Sequence, residues 1–132
     1  MSVSDPIADY LTCIRNAVQA KKKRLDIPAS NIKRAMTELL KRERFIDDFK
    51  VIEDNKQNVL RIQLSWRDAD TSAIREIRRI SKPGRRIYVN KDKIPRVRGG
   101  LGLVVLSTPE GVVSGAEARR RGVGGEVLCT VW

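Results

Sequence analysis

The chain has 132 residues, with 27 Lys and Arg against 16 Asp and Glu and a formal net charge of +11 at neutral pH. That length suits one ordinary domain or two small ones, and a hydrophobic share of 41% is enough for a packed core. Histidine is absent, which excludes His-based acid–base catalysis, Ser–His and Cys–His nucleophiles, and most zinc sites.

The opening stretch "MSVSDPIADY" lacks the basic and apolar blocks of a signal peptide, and no apolar run reaches the length of a membrane span. The expectation is a cytoplasmic protein with no membrane partner. Asp5 can cap a helix with Pro6 at its first position. Ile7, Leu11, Ile14 and Val18 then fall on one helical face, with Asp9, Thr12 and Asn16 opposite as a polar ridge. Leu25 and Ile27 alternate in an extended piece that Pro28 ends. Ser30 is a good cap for a second helix, whose apolar stripe is Ile32, Ala35, Met36, Leu39 and Leu40. "DFKVIED" and "NVLRIQL", joined by "NKQN", read as a half-buried hairpin, with Leu60, Ile62 and Leu64 inward. "RDADTSA" reads as a linker.

Beyond it, "IREIRRISKPGRRIYVN" reads as a hairpin turning at Ser-Lys-Pro-Gly, although Ile74, Ile77 and Ile80 also permit a helix. "GLGLVVLST" reads as a buried strand. In "GGEVLCTVW" the last strand places Val127, Cys129 and Val131 on one face. Between them, Ser114 and Glu117 stand at the two positions of a capping box, and Gly122 can end a short helix. The expected fold is α+β in two small subdomains. Residues 1–66 form a helix–strand–helix–hairpin unit, 67–73 a linker, and 74–132 a small antiparallel sheet with one short helix.

Charge is unevenly placed. Residues 21–44 hold nine Lys and Arg against three acids, and residues 71–98 hold ten against two, whereas 101–132 balance at three against three. Two basic blocks separated by near-neutral chain suggest surfaces that face a polyanion. Neither block carries the apolar helix face of a membrane-surface segment. The paired acids Asp47–Asp48 and Glu53–Asp54 read as solvated loop charges rather than metal ligands. Cys13 and Cys129 match no metal spacing and read as two reduced thiols. "GGLGLVV" lacks the third glycine of a dinucleotide loop, and its glycines precede a strand.

Two stretches could carry recognition. In "SKPGRRIY", Lys82, Arg85 and Arg86 cluster about the Pro83–Gly84 turn within reach of a phosphate chain, and the Tyr88 ring could stack on a base or ribose. The alternative is a solvated hairpin end with Tyr88 half-buried. In "LSTPEG", Ser107 and Thr108 end a buried strand on a turn suited to type I geometry, with Pro109 second and Gly111 fourth. Their hydroxyls either cap their own backbone or present short, rigid polar groups to the shallow minor groove of RNA.

Nearly the whole chain resembles one family. "DPIADYLTCIRNA", "IPASNIK", "SKPGRRIYV", "GLGLVVLSTPEGVVSGAEAR" and "GGEVLCTVW" occur in the order found in bacterial small-subunit ribosomal protein eight. The resemblance implies a two-subdomain, non-enzymatic protein with no cofactor, metal or small-molecule substrate. Its partners would be the central domain of small-subunit ribosomal RNA, bound early in assembly, and neighbouring small-subunit proteins. It implies that the loop holding Ser107, Thr108 and Pro109 enters a distorted RNA minor groove. Glu126 would stand beside that loop, following Gly124 and Gly125. Glu126 also reads as a partner for Arg119 to Arg121. A second RNA region would meet Asp5, Thr12, Arg15, Asn16, Ser30, Asn31 and Lys33.

Several positions depart from the family pattern. Pro109 stands for a usual hydroxyl residue, Arg44 for a usual Gly, Cys13 for a basic residue, Thr130 for an aromatic, and Ser114–Gly115 for Thr-Asp. The competing functions are sequence-specific DNA binding and nuclease activity. No recognition-helix pattern supports the first, and no His or metal cluster supports the second.

Overall fold

The computed structural model describes residues 5–132. Its internal contacts define two units: Tyr10–Arg75, and the chain up to Asp9 together with Glu76–Trp132. The described residues form an α+β fold with three α-helices and two antiparallel sheets.

Helix α1 (Pro6–Gln19) starts as its sequence suggests, with the Asp5 carboxylate accepting from the Ala8 amide at 3.1 Å. Helix α2 (Asn31–Arg42) follows β1 (Arg24–Pro28), and the Ser30 hydroxyl accepts from the Lys33 amide. Both helices end on the same device. The Lys22 amide bonds the Ala17 carbonyl and the Lys21 amide bonds Val18; likewise Phe45 bonds Leu40 and Arg44 bonds Lys41. This is the Schellman closure, which needs one residue in the left-handed region. Lys21 (φ 56°) and Arg44 (φ 65°) occupy that place. The geometry explains why a glycine suits position 44, since glycine adopts it without steric penalty.

The N-terminal unit holds α1 from Tyr10 onward, α2 and the sheet β1-β3-β2, where β2 spans Ile46–Ile52 and β3 spans Val59–Leu64. Central β3 turns Leu60, Ile62 and Leu64 inward, as its alternation suggests. In α2, Met36, Leu39 and Leu40 are buried, while Ile32 and Ala35 are only half-buried. The position missed was Thr37. It is fully buried, donating to the Lys33 carbonyl at 2.7 Å and lying 2.6 Å from the Tyr10 hydroxyl. Its one proton is committed to Lys33, so Tyr10 is the donor between the helices. Asp47 and Asp48 lie on β2 rather than in a loop, at a register shift between Ile46 and Asp48. Asp48 pairs with Lys41 at 2.9 Å. Residues 66–72 close a turn through the Arg67–Thr71 backbone bond and the Trp66–Ser72 bridge.

In the C-terminal unit the strands are β4 (Ile77–Arg79), β5 (Tyr88–Val89), β6 (Leu103–Thr108), β7 (Gly111–Ser114) and β8 (Gly125–Val131). The expected hairpin over 74–89 is not formed. Both β4 and β5 pair with β8 and not with each other. Ile77 opposes Val131 and Arg79 opposes Cys129; the Ser81 amide bonds the Val127 carbonyl, and the Val127 amide bonds Ile87. Residues 77–89 are therefore one interrupted edge of β8, from which the Lys82–Arg85 turn projects. The turn itself is correctly placed, closed by reciprocal Lys82–Arg85 backbone bonds.

Strand β8 lies between β4 and β6 and is buried from Val127 to Val131. The expectation that Val127, Cys129 and Val131 share a face fails. Against β6, Cys129 opposes Val105 but Val127 opposes Leu106, so Leu128 is an extra residue. A bulge of this kind reverses the sidedness of the residues beyond it. Val127 joins Val104, Leu106, Val113, Ile94 and Ala118 in one cluster, the last of these on helix α3 (Gly115–Arg121). Ser114 caps α3 through the Glu117 amide and Gly122 ends it at φ 69°.

The Schellman geometry at Arg44 has a direct consequence. Arg44→Gly should raise unfolding free energy by about 0.5–1 kcal/mol, the relief of left-handed strain less the extra backbone entropy. Urea denaturation of both proteins measures it, and an unchanged or lowered midpoint would contradict the strain.

Candidate RNA-binding surface

The register of three strands sets the surface. Tyr88 on β5 opposes Glu126 on β8, and Glu126 opposes Ser107 on β6. Directly opposed residues share a face of the sheet, about 5 Å apart. The three side chains thus form one row. Tyr88 is 69% exposed, so its ring is not half-buried, and Ser107 is partly open. Gly124 and Gly125 allow the strands to close up: a Cβ at Gly124 would stand 2.2 Å from the Val89 carbonyl oxygen, and one at Gly125 2.2 Å from that of Ser107.

Glu126 is anchored from below. Its Oε2 accepts from the buried Ser81 hydroxyl at 2.5 Å and from Arg86 Nη1 at 3.0 Å. Pairing with Arg119 to Arg121 is not what forms. Arg120 and Arg121 bind Glu117, whose carboxyl their guanidiniums hold below its ordinary value, and Arg119 donates to the Ile94 carbonyl at 3.2 Å. Beside the row, Lys82, Arg85 and Arg86 are exposed on the projecting turn, with Pro83 half-buried. Open space surrounds Gly84.

Thr108 behaves differently from Ser107. Its hydroxyl donates to the Gly111 carbonyl at 2.8 Å and accepts from the Glu110 amide at 3.1 Å. Its proton is spent on the turn, which matches the backbone-capping alternative. Pro109 is exposed and has no donor to offer. Arg121 reaches toward the same turn, 3.9 Å from Glu110.

In the N-terminal unit Thr12 and Asn16 are exposed one helical turn apart, with Arg15 half-buried between them. Ser30, Asn31 and Lys33 gather at the start of α2, where Lys33 Nζ donates to the Pro28 carbonyl at 3.2 Å. Asp5 caps α1 through the Ala8 amide. It falls in the other unit, where Arg79 Nε donates to its Oδ2 at 3.2 Å and Arg79 Nη1 donates to the Leu128 carbonyl at 2.7 Å. Burial pushes the Asp5 carboxyl upward, but the Ala8 amide and the Arg79 guanidinium outweigh it and hold the carboxyl below its ordinary value.

The basic blocks are partly self-occupied. Arg79 is nearly buried, and Arg78 and Arg98 lie over the Trp132 ring at 5.6 and 5.2 Å. Cys13 is exposed; burial drives the Cys129 thiol up to about 12, so it stays protonated. Among the described residues no three His, Cys, Asp or Glu gather as a metal site.

Residues 5–132 match the family described as ribosomal protein S8. The chain belongs to that family. Relatives named small ribosomal subunit protein uS8 align over the full length of both chains, at 56% identity in Geotalea uraniireducens, 53% in Natranaerobius thermophilus and 47% in Acidobacterium capsulatum. Membership makes this a structural, non-enzymatic protein of the small ribosomal subunit, in the cytoplasm. In this S8 protein, sequence reasoning missed Ser81 and Arg79. Both stand at every second position from Ile77 along the edge that pairs with β8. That alternation was the available signal, and reading a hairpin concealed it.

Two outcomes follow. Thr108→Val should lower unfolding free energy by about 0.5–1.5 kcal/mol, because two turn hydrogen bonds disappear; an unchanged denaturation midpoint would free Thr108 from its turn role. Asp5, with a depressed folded value, stabilises the fold above pH 3.8 and loses that contribution as pH falls through the lowered value. Asp5→Asn should therefore lower stability at neutral pH and flatten its decline on acidification. A parallel acid limb would contradict this.

Proposed function

We infer that this S8 protein binds the central domain of small-subunit ribosomal RNA directly, supports subunit assembly and lies against neighbouring small-subunit proteins. The observation that carries the reading is the row Tyr88–Glu126–Ser107, bordered by the Lys82–Arg86 turn. An exposed aromatic ring supplies a stacking face. A hydroxyl and a carboxylate acceptor suit 2′-hydroxyls and base edges in a wide, shallow RNA minor groove. The neighbouring cations supply phosphate contacts, which position the protein without reading sequence. Thr12, Arg15, Asn16, Ser30, Asn31 and Lys33 offer a second polar and basic surface in the N-terminal unit, weaker in charge and without an exposed aromatic ring.

Binding to a transcript of the central domain should exceed binding to the 5′ domain of the same RNA at matched salt. Tyr88→Ala should weaken it by about 1–3 kcal/mol. Joint replacement of Arg85 and Arg86 by Ala should weaken binding to both transcripts and flatten the salt slope by roughly 0.7–0.9 for each phosphate no longer neutralised. Equal affinity for the two transcripts would overturn the reading.

A further inference from the structure

The Lys82–Arg85 turn interrupts the ladder on β8, and Ser81 closes the gap. Its amide donates to the Val127 carbonyl, and its hydroxyl accepts from the Ile87 amide at 3.1 Å. The one remaining proton of that hydroxyl goes to Glu126 Oε2. Ser81 is fully buried, so this bond does not compete with water. Arg86, by contrast, has a side chain 45% exposed, so water and phosphate compete for its bond to Glu126.

Both bonds fall on the same carboxylate oxygen, Oε2. Among the described residues no partner meets Oε1, and no buried side-chain oxygen or nitrogen is without one. Oε1 therefore keeps some contact with solvent, on a side chain that is 15% exposed. It does so in the row between Ser107 and Tyr88.

The geometry points to Ser81 as the positioning residue of RNA recognition: it fixes the rotamer of Glu126 so that Oε1 stands as one rigid acceptor for an N–H or O–H donor of the bound RNA. The role rests on the RNA-binding reading above and adds a residue that never touches RNA. The arrangement divides the labour. Lys82, Arg85 and Arg86 sit on a projecting turn and supply attraction that any RNA satisfies. Oε1 is held from the buried root of that same turn and rejects an RNA that lacks a donor there, since a desolvated carboxylate oxygen without a partner is unfavourable. Because Arg86 can leave Glu126 for a phosphate, Ser81 is the residue that keeps the carboxylate in place once RNA is bound.

A double-mutant cycle on the full chain tests this. The probes are a central-domain transcript of Geotalea uraniireducens small-subunit ribosomal RNA and a generic RNA duplex of equal length; the readout is the ratio of the two affinities. Ser81→Ala should lower that ratio about tenfold, with the generic duplex bound as before, and Ser81→Thr should restore it. In a Glu126→Ala background, Ser81→Ala should change the ratio less than twofold. Additive losses, or an unchanged ratio for Ser81→Ala, would overturn the positioning role. If Ser81→Ala does not fold, Glu126→Asp serves, since it keeps the charge but withdraws the carboxylate from Ser81. A ratio equal to that of the unaltered protein would then refute the proposal. Where the unaltered protein itself shows no preference for the central-domain transcript, the RNA-binding reading fails, and this role with it. Two further transcripts identify the donor: inosine for guanosine removes the base amino group, and 2′-deoxy substitution removes the hydroxyl. The substitution that abolishes the effect of Ser81→Ala marks the donor, and an effect surviving both refutes a minor-groove donor at Oε1.

Discussion

One extra residue in β8 decides what the C-terminal sheet presents. With Leu128 inserted, Glu126 opposes Ser107 and Val127 opposes Leu106. In an uninterrupted ladder Glu126 would oppose Thr108, and its carboxylate would lie on the side of Leu106 and Ala118. A carboxylate in that apolar cluster has no partner, and an unpaired buried charge is strongly unfavourable. The bulge resolves the conflict by giving the apolar cluster Val127 and the open face Glu126. The Leu128 carbonyl is then fixed by the Ile80 amide and the Arg79 guanidinium, and Asp5 holds the other side of that guanidinium. The acid that caps the first helix and the residue that turns the strand belong to one hydrogen-bonded chain.

This chain of bonds revises how the charge is read. The second basic block is dense in sequence, but its cations are not equivalent in space. Arg79 is structural, and Arg78 and Arg98 rest on Trp132. Lys82, Arg85 and Arg86 stand exposed beside the Tyr88 row, Arg86 while bonded to Glu126. A count of cations suggests a polyanion partner; only the pairing pattern shows which cations are available to it.

What the sequence discloses is local. Caps at Asp5, Ser30 and Ser114 act within three residues, so they are visible without knowing the fold. Alternation in β3 is equally visible. Pairing between distant segments is not: nothing in "IREIRRISKPGRRIYVN" states that both its strands lean on the chain terminus. The bulge is hidden for the same reason, since an extra residue exists only relative to a partner strand. Thr37 and Ser81 were overlooked because a hydroxyl in an apolar stripe or before a turn looks like a surface residue until its partner is known. The row Tyr88–Glu126–Ser107 joins three stretches far apart in sequence. Tyr88 and Ser107, read from their own stretches, and Glu126, implied by the resemblance, become one row only through the register of β8.

The Lys82–Arg85 turn leaves from and returns to one strand. Val127 spans its two roots, bonding Ser81 on one side and Ile87 on the other, and the Ser81 hydroxyl joins them directly by accepting from the Ile87 amide. Lengthening, shortening or recomposing the turn would leave every pairing of β8 in register. Open space around Gly84 removes the steric penalty as well. The fold thus leaves its cationic element free to diverge between lineages, while the carboxylate and hydroxyl beside it stay tied to the ladder. Grip can be retuned by insertion or deletion in this excursion without rebuilding the scaffold beneath it.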